Sequence, residues 1–215
     1  MVESKVILGG LAILFGLFLI LQASVMFGGS VAFEKIDMTY AEYAREGFNQ
    51  LIAASALVAF IVLTLRDQHG AKSDVLLTLL HGALIVETLL VLVSAAMRLN
   101  LYIDTYGYTD ARLFAYWTII TIGIMLVLLL ANVLQRESQG VLMRRSLVVL
   151  GVSALIFNYS MPDALSARLN FKRAEAGQRY DLMSIHQLSE EAVPIVVREL
   201  QTPHVFGDMK TDSVI

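Results

Sequence analysis

The apolar residues of this chain are gathered into five long runs, at 6–27, 48–65, 75–99, 113–134 and 146–161, with short charged stretches between them. A helix needs roughly 18 to 20 mostly apolar residues to cross the ~30 Å hydrocarbon layer of a bilayer. The first four runs reach that length, and the fifth needs flanking residues or a locally thinned bilayer. The pattern predicts an all-α integral membrane bundle of about five transmembrane helices. A soluble domain is excluded: 57% of the residues are hydrophobic and 16% charged, against about a quarter charged in soluble proteins.

Composition narrows the function classes. A formal net charge of −3 leaves no basic footprint for nucleic acid. The absence of cysteine removes disulfides, thiolate nucleophiles and Cys-bound zinc. The four histidines, at 69, 81, 186 and 204, are scattered and match no H-E-x-x-H pair. No G-x-S-x-G or phosphate-cradling glycine loop occurs, so no metal or cofactor is expected. The first apolar run is too long for a signal-peptide core and reads as an uncleaved anchor.

End signals divide the chain into a membrane domain over 1–161, with spans at about 6–27, 40–65, 75–99, 110–134 and 144–161, and a helical tail over 162–200. Thr39-Tyr40-Ala41-Glu42 has the form of a capping box, so the second helix is expected to start near Tyr40. Gly107 predicts a turn and Thr109 an N-cap for the fourth helix. Ser138-Gln139-Gly140 is expected to separate the fourth and fifth helices. The tail is polar with apolar residues at helical spacing and predicts two or three amphipathic helices, the last capped by Ser189. Pro194 implies a kink or a late start there. Residues 201–215 are expected to be disordered.

An odd number of spans puts the termini on opposite sides. Lys5, Arg66, Lys72, Arg136, Arg144 and Arg145 fall on one side, and Lys35, Arg45, Arg98 and Arg112 on the other. The preference of basic loops for the cytoplasm makes the N-terminus cytoplasmic and the tail extracytoplasmic.

Polar residues at membrane depth face protein or water, because lipid cannot pair them. Here they collect toward the tail side: Gln22, Ser24, Glu46, Asn49, Gln50, Ser94, Arg98, Tyr116, Thr118, Asn158 and Ser160. The other half offers mainly Thr64, Thr78, His81 and Asn132. The candidate polar surface is Glu42, Arg45, Glu46, Arg98, Tyr102, Arg112, Asp163 and Arg168. Glu87 lies mid-span, where an unpaired charge costs roughly 2.5–3.5 kcal/mol, and shares a face with Ser94 and Arg98. His81 reads as a satisfied interior histidine. Tyr102, Tyr106, Tyr108, Tyr116 and Trp117 read as an interfacial aromatic belt.

Several strings resemble a known family. Met26-Phe27-Gly28-Gly29, the run from Thr39 through Tyr40, Glu42, Arg45 and Glu46 to Phe48, and Arg98-Leu99-x-Leu101-Tyr102-x-x-x-Tyr106-Gly107-x-Thr109-x-x-Arg112-Leu113 are similar to an uncharacterised bacterial multi-pass membrane family, domain of unknown function 4173. Asn158, Pro162-Asp163-Ala164, Ala167-Arg168-x-Asn170 and Ala192-Val193-Pro194 resemble its later segments. The resemblance implies fold and topology, with this chain matching the C-terminal half of longer members. It implies no activity.

The preferred functional expectation is therefore a non-catalytic subunit, or an accessory or sensory module. Its tail-side surface would meet a headgroup, a membrane protein partner or a second copy. The alternatives are a small-solute or proton pathway through Glu87 in a homo-oligomer, and a membrane-embedded hydrolase or transferase using Glu42 or Glu46 as base with Arg45 or Arg98 on an anion.

Overall fold

The computed structural model describes residues 2–27, 40–67, 74–176 and 192–200. They form an all-α bundle with no strand among the described residues: α1 (Val2–Phe27), α2 (Tyr40–Asp67), α3 (Val75–Tyr106), α4 (Asp110–Leu134), α5 (Gln139–Tyr159), α6 (Pro162–Glu175) and α7 (Val193–Leu200). Among the described residues, four helical segments are long and apolar enough to cross a membrane: Glu3–Leu21 of α1, and α3, α4 and α5. Within α2 the shorter apolar stretch is Leu51–Leu65. The helix as a whole has 28 residues, about 42 Å at 1.5 Å per residue. Helix α5 is also longer than its apolar run, starting at Gln139 and reaching 21 residues, so its first turns carry the charged residues that precede the run.

Helix α3 is the hub. It packs against α1, α2 and α4, while α5 packs on α4, α6 on α4, and α7 on α6. Two contacts fix the direction of α1: Lys5 pairs with Asp74 at the start of α3, and Gly16 lies against Glu87, whose Oε1 would be 3.6 Å from a Cβ at position 16. Eleven residues along α1 thus match thirteen along α3, so the two helices run parallel. Helices α3 and α4 run antiparallel: a methyl on Gly82 would meet Leu130 at 3.8 Å, one on Gly123 would meet Leu92 at 3.4 Å, and Tyr116 bonds Asn100. Lipid supplies no hydrophobic drive between helices, so small residues and hydrogen bonds hold such interfaces. Leu84, Ile85, Val91 and Ala95 of α3 are fully buried together with Leu8, Val58 and Val62. Leu79, Leu90 and Val93 point outward.

Hydroxyls inside the spans are satisfied without water, as hydrocarbon demands. Ser55 donates to Leu51 O (2.8 Å), Thr88 to Leu84 O (2.6 Å) and Thr64 to Phe60 O (2.8 Å). Helix α5 is held by a polar cluster. Trp117 Nε1 donates to Ser153 Oγ (2.7 Å) and Ser153 O (3.1 Å), and Ser153 Oγ lies 2.6 Å from Thr121 Oγ1. Trp117→Phe keeps a ring against Phe157 but removes the donor. It is expected to weaken the α4–α5 interface by about 1 kcal/mol, read as a lower unfolding free energy in detergent.

Four connections are informative. Helix α2 starts at Tyr40, where the capping box puts it, although Thr39 and the Glu42 side chain lie outside the described residues. Thr109 caps α4, accepting from Arg112 N at 3.3 Å. The α4–α5 break differs from expectation. It falls at 135–138, with Arg136 left-handed (φ 55°), while Gln139 and Gly140 already belong to α5. The turn survives because Asn132, fully buried, donates to Glu137 Oε2 (3.3 Å) and Ser138 O (3.4 Å), and Arg145 holds Glu137 through two bonds of 2.6 and 3.0 Å. After α5, Met161 is left-handed (φ 46°); the following Pro162 disfavours the right-handed helical region for it. Pro162 then takes the first position of α6, where its missing N–H costs nothing. Pro194 likewise falls in the first turn of α7, so the late start is what occurs. Ser189 and residues 201–215 lie outside the described residues.

Candidate functional site

At the tail-side end of the bundle, the loop joining α3 to α4 meets α6. Gly107 closes α3: its N–H donates to Ile103 O at 2.7 Å, and its φ of 78° with ψ of −175° lies in a region essentially reserved for glycine. The last carbonyls of a helix have no partner within it. Arg112, from the first turn of α4, supplies one by donating to Tyr106 O (2.9 Å) and to Gly107 O. Its guanidinium also lies 4.3 Å from the centre of the Tyr102 ring and 5.9 Å from that of Tyr106. The two tyrosine rings sit 5.1 Å apart. Cation, carbonyls and ring faces thus complete one another at the C-terminus of α3.

Helix α6 is fastened to the same corner. Its inner stripe is Ala164, Ala167 and Phe171 with Ser166 and Asn170, all buried. Asn170 pairs with both backbone groups of Tyr108: the Tyr108 N–H donates to Oδ1 (2.7 Å), and Nδ2 donates to Tyr108 O (2.8 Å). The side-chain amide acts as a strand partner would, in one place. One turn on, Arg173 donates to Asp104 O (2.7 Å), lies 3.4 Å from Asp104 Oδ1 and stands over the Tyr108 ring at 5.8 Å.

Of the residues proposed from the sequence, Tyr102 and Arg112 are brought together here. Arg98 is half-buried one turn before Tyr102 on α3. Asp163 stands in the first turn of α6, its carbonyl accepting from Ser166 Oγ (2.9 Å), and Arg168 is exposed on the same helix. The side chains of Glu42, Arg45 and Glu46 lie outside the described residues. The residues that hold the corner, Asp104, Tyr108, Asn170 and Arg173, were not singled out as a site. The available signal was an asparagine within the buried stripe of an amphipathic helix, a position that requires a partner.

The two intramembrane residues make different contacts. Glu87 is half-buried on α3 against Gly16, with Oε2 buried and making no hydrogen bond to a described residue. Its stripe continues through buried Ser94 to Arg98. His81 is buried, and its Nδ1 lies 2.7 Å from Leu77 O; a carbonyl only accepts, so Nδ1 carries the proton. His81 and Asn132 are buried polar side chains in the half away from the tail, so buried polarity is not confined to one leaflet. Among the described residues, no three of His, Cys, Asp or Glu are grouped to hold a metal.

The far end carries the Lys5–Asp74 pair. Asp74 also caps α3, accepting from Leu76 N at 3.3 Å. The Lys5 hydrogen bond first, and then the Leu76 amide, hold its carboxyl below the usual carboxylate range. A lowered folded value stabilises the protein above the unfolded carboxylate pKa, about 3.9, and that stabilisation disappears as pH falls through the folded value. Wild type and Asp74→Asn are therefore expected to differ slightly in melting temperature at pH 6 and to converge as pH falls through the folded value. The difference is small because the pair is exposed.

Comparison with known proteins corrects one expectation. The family model for a domain of unknown function, DUF4153, matches residues 1–199, which overturns the resemblance to domain 4173 and with it the reading as that family's C-terminal half. The strings behind that resemblance are mostly short helix-end signals. They reflect capping and interface chemistry, whereas the matching model covers every span and α7 to within a residue of its end. No curated protein and no solved structure matches the chain. With a family model covering nearly its whole length, the chain belongs to the DUF4153 family.

Proposed function

We propose that this protein is a non-catalytic membrane subunit or accessory module that displays α6 and the tail at the membrane surface for a membrane protein partner. The observation that carries this reading is the double hydrogen bond of Asn170 to Tyr108. Together with Arg173 on Asp104 it commits the polar groups of the corner to holding α6, and leaves Arg168 outward. A photo-crosslinker at position 168 is expected to capture one membrane protein, whose own purification retrieves this chain. Asn170→Ala should abolish the capture. Cross-links to lipid alone would contradict the reading.

The N-terminus is assigned to the cytoplasm and the tail to the outside on the distribution of lysine and arginine. Because the chain has no cysteine, single cysteines at positions 136 and 168 give a clean test. An impermeant maleimide should label only the second in intact cells.

A second reading rests on the buried, unbonded Oε2 of Glu87. In a homo-oligomer this carboxyl would carry a proton or small solute across the midplane. Reconstituted flux that is unchanged in Glu87→Gln would remove this reading.

A further inference from the structure

At the end of the bundle where α1 begins, α4 and α5 leave a groove of about 570 Å³ lined by Leu128, Val141, Arg144, Arg145, Val148 and Val149. We propose that this groove binds an anionic phospholipid, with the phosphate on Arg144 and an acyl chain along Leu128, Val148 and Val149. Three observations converge on that occupant. The first is access: α5 packs on α4 within the bundle, and Val148 is 65% exposed, so the groove opens where acyl chains lie. The second is depth. Arg144 is five residues into α5, about 8 Å along its axis, just before the apolar run begins, which is headgroup level.

The third is charge. Glu137 takes up Arg145 through two bonds, which neutralises that guanidinium. Arg144 is exposed and makes no ion pair with a described residue. The groove therefore has an apolar wall and, at its polar end, one guanidinium that no described residue neutralises. A phosphodiester offers the oxygens that a guanidinium fork binds in pairs. An anionic lipid leaves that charge unopposed, whereas the cationic headgroup of a zwitterionic lipid offsets it. Basic pockets between spans bind anionic headgroups on the same grounds.

The test is native mass spectrometry of the detergent-purified full chain with phosphatidylglycerol or phosphatidylcholine added. Wild type should retain phosphatidylglycerol about fivefold more than phosphatidylcholine, the factor expected for one basic residue at the surface. Arg144→Gln should lose the preference, and its melting temperature should not change, because Arg144 makes no ion pair with a described residue. Val148→Trp, which fills the groove from an exposed position, should reduce retention of both lipids. Equal retention of the two lipids by wild type, or a preference that survives Arg144→Gln, would overturn the proposal. Displacement of bound lipid by millimolar inorganic phosphate would make this a free-anion site and would overturn it as well.

Discussion

Alanine at Gly107 is expected to destabilise the tail-side corner by about 3 kcal/mol, the largest effect of a methyl added at any described glycine. Two costs combine. The backbone at 107 has φ 78° and ψ −175°, a conformation that costs a residue with a Cβ on the order of 1–3 kcal/mol. The new methyl would also stand 3.0 Å from Asn170 Oδ1, closer than the side chain can tolerate without moving. Asn170 cannot retreat without stretching its bonds to Tyr108. The measurement is the unfolding free energy in mild detergent, with limited proteolysis after residue 176 as a local readout. In the Gly107→Ala/Asn170→Ala double variant the collision is absent but the backbone strain persists. Its loss should therefore be smaller than the sum of the two single losses.

The second large effect is expected at Asn170. Asn170→Ala removes two hydrogen bonds and leaves a half-buried peptide unpaired, about 2 kcal/mol in all. Asn170→Asp separates that account from a simple packing one. The carboxylate still accepts from the Tyr108 N–H, but its second oxygen faces the Tyr108 carbonyl that Nδ2 now serves, setting acceptor against acceptor. Aspartate is nearly isosteric with asparagine, so a packing role predicts little change. The hydrogen-bond role predicts a loss at least as large as that from alanine.

Much of the architecture was legible because hydrocarbon enforces simple rules. Apolar runs of span length must be helices. The turn at Gly107 and the cap at Thr109 followed from local chemistry. The α4–α5 break was misplaced because Ser138 and Gly140 are turn-forming by type, whereas the left-handed residue is Arg136. What stabilises that turn is the Asn132–Glu137–Arg145 chain, which links residues up to thirteen apart and leaves no local pattern. The corner was half legible for the same reason. Tyr102 and Arg112 stood out as a charged and an aromatic residue near span ends. The Tyr108–Asn170 pair is separated by 62 positions and uses backbone atoms that no residue type advertises. The polar asymmetry was read from depth alone, which placed Asn132 in the half away from the tail but could not show that it is fully buried there.

The central claim is that α6 is held to the α3–α4 corner by the side-chain amide of Asn170. Hydrogen–deuterium exchange on the detergent-solubilised chain tests it most directly, followed over the peptides covering residues 104–110 and 163–175. Wild type should protect both peptides, and Asn170→Ala should deprotect both together while the centre of α3 keeps its protection. Fast exchange of α6 in wild type, or an Asn170→Ala pattern indistinguishable from wild type, would contradict it.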